Sequence, residues 1–232
     1  MNTNSNVYTI VYASVMVVIV AFILAFTSAA LKPVQNKNVE LDKMKQILHA
    51  LNIDTKGQNA EAVYKKYVKA DKVLNVNGEI VAESGGFAIN MATEMGKPDA
   101  ERQLPIYFCD VDGQTKYVVP LSGAGLWGPI WGYVGLNDDK DTVYGVYFSH
   151  AGETPGLGAE ISTPAFQKEF EGKKVFKDGQ VALAVEKFGK VTDPAYQVDG
   201  ISGGTITSKG VDAMIKDCLV LYDKFLTNKT EE

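Results

Sequence analysis

Residues 199–211 read Asp-Gly-Ile-Ser-Gly-Gly-Thr-Ile-Thr-Ser-Lys-Gly-Val, and an amphipathic stretch follows directly. Two adjacent glycines, Gly203 and Gly204, stand among four hydroxyl residues, Ser202, Thr205, Thr207 and Ser208. Glycine lets the backbone take positive φ and approach a ligand closely. A helix N-terminus offers unpaired N–H groups and a partial positive charge, the complement of a phosphate. The segment therefore reads as an anion cradle holding a reactive alcohol. The same residues also read as a Gly-rich turn in which Thr207 or Ser208 caps the next helix. That helix, expected over Ser208–Leu226, places Val211, Met214, Ile215, Cys218, Leu219, Tyr222 and Phe225 on one face.

Upstream of this helix the chain alternates in character. Asp112-Gly113 separates the apolar run Leu104–Val111 from Gln114–Pro120, a hairpin signal. Thr142–Phe148 reads as a strand, as do Lys173–Phe176 and Val181–Phe188. Ser162–Phe170 reads as a short helix with Ser162 or Thr163 at its N-cap and Pro164 in its first turn. Two further helices are expected over Val39–Leu51 and Ala60–Lys69, and strand-like runs fill Asp71–Leu121. Strands with segregated helices predict one mixed α+β domain of about 200 residues, without repeats.

Ahead of that domain, Val7–Leu31 contains no charged residue. As a helix it spans roughly 37 Å, enough to cross a hydrocarbon core of about 30 Å. Thr27-Ser-Ala-Ala30 could serve a signal peptidase, but Met1–Asn6 carries no Lys or Arg and the apolar run is long for a signal peptide. The division expected is an N-terminal tail at 1–6, a transmembrane helix at 7–31 and a domain at 32–232, closed by a frayed polar end at Glu231 and Glu232. Lys32, Lys37, Lys43 and Lys45 all follow the span, so charge bias alone would keep the domain in the cytoplasm.

A net charge of −5 and no basic stripe exclude a nucleic-acid surface. The two cysteines, Cys109 and Cys218, fall in apolar patterns and read as buried thiols, their pairing left open. With His49 and His150 far apart, no Cys/His cluster forms a metal motif. Electrons passing through this chain would need an organic cofactor.

Asp-x-x-Ser-Gly-Gly-Thr at 199–205, followed by x-Thr-Ser, resembles the flavinylation motif of the FMN-binding domain family. The family pattern is Asp-x-x-(Ser/Thr)-Gly-Ala-Thr, so Gly204 stands where alanine is usual. Gly152-Glu-Thr-Pro-Gly-Leu-Gly-Ala-Glu-Ile161 resembles a second signature of that family. With the apolar helix and Gly125-Leu126-Trp127, nearly the whole chain is similar to the C-subunit family of sodium-translocating NADH:quinone oxidoreductases.

The resemblance implies an electron carrier with FMN joined by a phosphoester to Thr205, with Thr207 the competing hydroxyl. Ser202, Gly203 and Gly204 would belong to the cradle, and Asp199 to the signal read by a flavin transferase or to a local turn. Leu126 and Trp127 would face the flavin ring, unless Trp127 and Trp131 are core aromatics. Glu153, Thr154, Gly156, Leu157 and Gly158 would form the opposing wall, with Gly156 and Gly158 supplying amides and Glu153 either near the ring or capping a loop amide. The implied partners are the large membrane subunit of the same complex, which bears its own FMN, and iron–sulfur-bearing membrane subunits. The implied location is the extracytoplasmic face of a bacterial inner membrane. A covalent link suits that place: a helix end holds an anion by only about 0.3–1 kcal/mol, whereas micromolar retention needs about 8 kcal/mol. The flavin subunit of the ferredoxin:NAD-oxidising Rnf complex shares motif and anchor. A flavin-free, membrane-tethered adaptor using the Trp127–Trp131 surface is the remaining alternative.

Overall fold

A computed structural model describes residues 5–228; tail residues 1–4 and the polar end at Glu231 and Glu232 lie outside them. The chain divides into two compact units between Lys43 and Met44. Most of the first is helix α1, which runs Asn6–His49 and contains Pro33. This corrects the expectation of two separate helices, 7–31 and 39–51. Pro33 removes one N–H and costs about 3 kcal/mol in a helix interior, yet good helix formers surround it and no glycine offers a stop. An 18-residue window of α1 has mean hydropathy 2.7 and is wholly exposed, so the helix is long and apolar enough to cross a membrane.

In the second unit α2 (Ala60–Tyr67) is capped by Asn59, whose side chain accepts from the Glu61 and Ala62 amides. Then follow β1 (Val68–Leu74), β2 (Ile80–Ala82) and a short α3 (Met91–Met95) within the stretch expected to be strands. β3 (Leu104–Val111) and β4 (Gln114–Ala124) turn at Asp112 and Gly113, both at positive φ (53° and 79°) as a tight hairpin turn needs. β5 (Pro129–Leu136) and β6 (Val143–His150) complete an antiparallel sheet ordered β2-β1-β3-β4-β5-β6. β4 outlasts its expected end because pairing with β3 stops at Tyr107–Val118, short of Pro120, while β5 pairs on to Ala124.

Helix α4 (Pro164–Lys168) starts as the sequence predicts, with Thr163 at its N-cap and Pro164 first. The expected strands 173–176 and 181–188 shrink to small ribbons. β7 (Phe176–Lys177) and β8 (Gln180–Val181) pair around Asp178-Gly179, another positive-φ turn. β9 (Ala184–Glu186) lies parallel to β10 (Gln197–Asp199). Helix α5 spans Thr205–Leu219, three residues earlier than expected, and a 3₁₀ turn at Val220–Tyr222 separates it from α6 (Asp223–Thr227).

Strand alternation divides the interior in two. Leu104 and Ile106 of β3 join a core that α5 covers with Val211, Met214, Ile215, Cys218 and Leu219. Tyr107, Cys109 and Val111 point to the other face, closed by Ile47, Ala50 and Leu51. Gly135 and Gly145 pair across β5 and β6 and leave room there for backbone. A Cβ on Gly135 would stand 2.3 Å from the Ala50 carbonyl oxygen, and one on Gly145 2.9 Å from it. The two free cysteines are buried on opposite faces of the sheet and do not pair. Burial pushes the Cys109 thiol up to about 12 and the Cys218 thiol to about 11. The result is the mixed α+β domain behind a long apolar helix that the sequence implied.

Candidate functional site

Three segments meet at one end of the sheet: the turn joining β4 to β5, the loop after β6, and the entry to α5. The first is closed by the Gly125 amide donating to the Gly128 carbonyl at 2.8 Å. The third is a turn over Ile201–Gly204, closed by the Gly204 amide on the Ile201 carbonyl at 3.0 Å. Its third residue, Gly203, has φ +78°, a conformation that side chains resist. Between the segments lies a cleft of about 240 Å³.

The entry to α5 is shaped by what its hydroxyls do. Gly204 is the N-cap and, lacking a side chain, caps nothing. Thr205 is the first helical residue, half-buried, and its hydroxyl has no hydrogen-bond partner among the described residues. The amides of Thr205, Ile206 and Thr207 open the helix, where no intrahelical acceptor exists. Neither Thr207 nor Ser208 is the cap, as the sequence allowed; both are buried inside the helix. The Ser208 hydroxyl donates to the Gly204 carbonyl and accepts from the Ile201 amide, both at 2.9 Å, stapling the turn to the helix.

Thr207 turns inward to Glu153. Its hydroxyl donates to Glu153 Oε2 at 2.6 Å, and the Trp127 amide donates to Oε1 at 2.8 Å. The Glu153 amide in turn donates to His150 Nδ1 at 3.1 Å. One buried carboxylate thus ties all three segments. Burial alone would raise its carboxyl, but the Thr207 hydroxyl, the Trp127 and Leu126 amides and nearby His150 outweigh that and hold it below the usual carboxylate range.

Of the residues singled out in the sequence, Leu126, Glu153, Thr154, Leu157 and Gly158 line one side of the cleft. Gly203, Gly204, Thr205 and Thr207 line the other. Ser202 is exposed on the turn and Trp127 is 70% exposed; neither lines the cleft, and Trp127 is no core aromatic. Trp131 is half-buried, its indole N–H donating to Gln46 at 3.2 Å. Gly156 also lies outside, and its amide donates to Glu160 Oε1 at 3.1 Å, so it is not the available donor expected. Asp199 ends β10; its carboxylate accepts from the Gly189 amide at 2.7 Å, which corrects the reading of a turn closed on its own backbone. Ile206 lines the cleft and was missed, although its place off the apolar face of α5 was a signal.

The lining fits a ligand with two unlike ends. An anion finds open helix amides and glycine backbone that approaches closely. A flat apolar ring finds Leu126, Leu157 and Ile206, each exposed for a large hydrophobic residue. No group of three or more metal-ligating side chains occurs among the described residues.

Comparison with known proteins places this part of the chain in a family. The FMN-binding domain family matches residues 125–220, from the first cleft segment through α5. The C subunit of the Na(+)-translocating NADH-quinone reductase of Haemophilus ducreyi is 35% identical, over 93% of this chain and 90% of its own. That of Pseudomonas aeruginosa is 31% identical, over 98% and 97%. The crystal structure of the corresponding C subunit of Parabacteroides distasonis superposes with a TM-score of 0.80 at 48% identity, covering 86% of this chain and 98% of that one.

Proposed function

Because the chain belongs to the C-subunit family of the Na(+)-translocating NADH-quinone reductase, we propose that it relays electrons through an FMN joined by a phosphoester to Thr205. The observation that carries this reading is the contrast between two threonines. Thr205 opens α5 with an unengaged hydroxyl at the cleft, among helix amides suited to a phosphate. Thr207 is buried and its hydroxyl is held by Glu153. The alternative acceptor left open by the motif is thereby disfavoured.

FMN, when bound, supplies one-electron chemistry that no side chain here provides. The Thr205, Ile206 and Thr207 amides and the Gly203-Gly204 backbone would hold its phosphate end. Leu126, Leu157 and Ile206 would hold the ring, and Thr154 would reach its polar edge. The cleft, about 240 Å³, is smaller than the 300–1,000 Å³ of typical enclosing pockets. A flavin there keeps an edge in solvent, which suits exchange of electrons with a docked protein.

In this reading residues 7–31 cross the membrane and the domain faces the extracytoplasmic side. The partners are the large FMN-bearing membrane subunit and the iron–sulfur-bearing membrane subunits. Asp199 serves the flavin transferase, its carboxylate oriented by the Gly189 amide.

The test is expression of the full chain with a flavin transferase, followed by denaturing electrophoresis under ultraviolet light and peptide mass mapping. The expected result is a fluorescent band whose flavin maps to Thr205. A dark band with an unmodified Thr205 peptide, despite an active transferase, overturns the reading.

A further inference from the structure

Glu153 is 5% exposed, lines the cleft and has both carboxylate oxygens engaged. Among the described residues no lysine or arginine pairs with it. Its donors are amides and a hydroxyl, which ease burial without cancelling the net charge. The backbone is pressed against it from two sides. A Cβ on Gly125 would stand 2.5 Å from Oε1, and one on Gly158 2.4 Å from Oε2. The wall around the carboxylate is therefore tight, and it holds the charge in the lining of the cleft.

We propose that Glu153 is a positioning residue whose fixed negative charge also sets the electron affinity of the site, keeping the reduction potential of FMN in this cleft low. The proposal rests on the reading that FMN occupies the cleft. One-electron reduction, with the electron drawn from a one-electron donor centre or a chemical reductant, adds one negative charge wherever a proton does not follow. A buried like charge in the wall opposes that addition, and at low effective dielectric it does so across several ångströms. The three-way clasp gives the charge a fixed place, since Glu153 cannot swing away without releasing Trp127 and Thr207.

The experiment uses full-length holoprotein in detergent at pH 8, titrated with dithionite against redox dyes and followed by the visible flavin spectrum. Two variants are compared with the parent protein. Glu153→Gln keeps the shape and one accepting oxygen but removes the charge. Its potential is expected to rise, by about tenfold in the one-electron equilibrium constant, or about 59 mV. Thr207→Val strips a donor from the carboxylate and keeps the charge, so its potential is expected to fall. A clasp that only positioned the walls would shift both variants in the same direction, and that result overturns the proposal. Should Glu153→Gln fail to fold by circular dichroism, Thr207→Val decides: a fall supports the charge, and an unchanged or raised potential overturns it. Parent protein that carries no flavin after coexpression refutes the FMN reading itself and this proposal with it. A flavin-bearing parent with an unmoved Glu153→Gln potential refutes this proposal alone.

Discussion

Thr207 and Glu153, 54 residues apart in sequence, are joined by a buried 2.6 Å hydrogen bond in the lining of the cleft. It engages the hydroxyl of one of the two candidate threonines, while Thr205 lies half-buried in the lining of the cleft.

The two threonines should therefore separate chemically. Thr205→Ala is expected to abolish covalent flavin while changing stability by less than about 0.5 kcal/mol, since its hydroxyl bonds nothing in the fold. Thr207→Val is expected to keep the fluorescent band yet lose about 1.5–3 kcal/mol, because a buried carboxylate is left short of a donor. In-gel fluorescence and urea titration of both variants check this.

Gly158→Ala should break the clasp with both of its partners left unsubstituted. The new methyl would stand 2.3 Å from Thr207 Oγ1 and 2.4 Å from Glu153 Oε2, too close for both to remain. Overpacking of this kind costs about 1–3 kcal/mol. A thermal melt equal to that of the parent protein would show that the loop after β6 yields more easily than its packing implies.

Acid should loosen the domain in a defined order. Burial opposes ionisation of Glu94 and Glu153, but the Lys97 side chain and Gln103 amide at Glu94, and the Thr207 hydroxyl and Trp127 amide at Glu153, hold both carboxyls below their ordinary value. Asp139, despite partial burial, is brought down to about 2 by Thr142, the Asp141 amide and Lys174. A carboxyl depressed by folding stabilises the native state fully above its unfolded pKa, and the gain is lost as pH falls through the folded one. The contribution of these three carboxyls should thus be level above about pH 5 and decline below about pH 4.5, the Asp139 share persisting to about pH 2. Chemical denaturation at a series of pH values reads the slope, and Glu153→Gln should flatten part of it.

Both thiols should be silent in the folded protein. Cys109 and Cys218 are buried, on opposite faces of the sheet, with thiol pKa values near 12 and 11. A maleimide is expected to label neither at pH 7 until denaturant is added, and then both. Labelling of one thiol in native protein, or a mobility shift on reduction, would contradict that placement.

Local signals in the sequence translated well. Asp112-Gly113 fixed a hairpin because both residues accept positive φ without help from elsewhere. Thr163-Pro164 marked a helix start for a similarly local reason. Errors arose where local preference yielded to distant contacts. Thr207 and Ser208 look like caps, but Glu153 and the Ile201–Gly204 turn engage their hydroxyls, and the helix begins at Thr205. Asp178-Gly179 carried the same turn signal as Asp112-Gly113, yet the apolar runs around it concealed strands of only two residues. The parallel pairing of β9 with β10 has too few residues to leave a periodicity. In the site, the glycines and hydroxyls were legible as a group, whereas the bond between Thr207 and Glu153 is a tertiary fact that no single segment encodes.

That long-range closure also imposes a sequence of manufacture. The turn at 125–128 and the loop after β6 are made before the cradle, which comes with α5, the last long helix. If the proposed attachment holds, a polypeptide truncated ahead of α5 would keep Leu126 and Leu157 but lose Ile206 and the Thr205 hydroxyl. Covalent flavin in a preparation would then serve as an inspection stamp, carried only by chains in which α5 had docked.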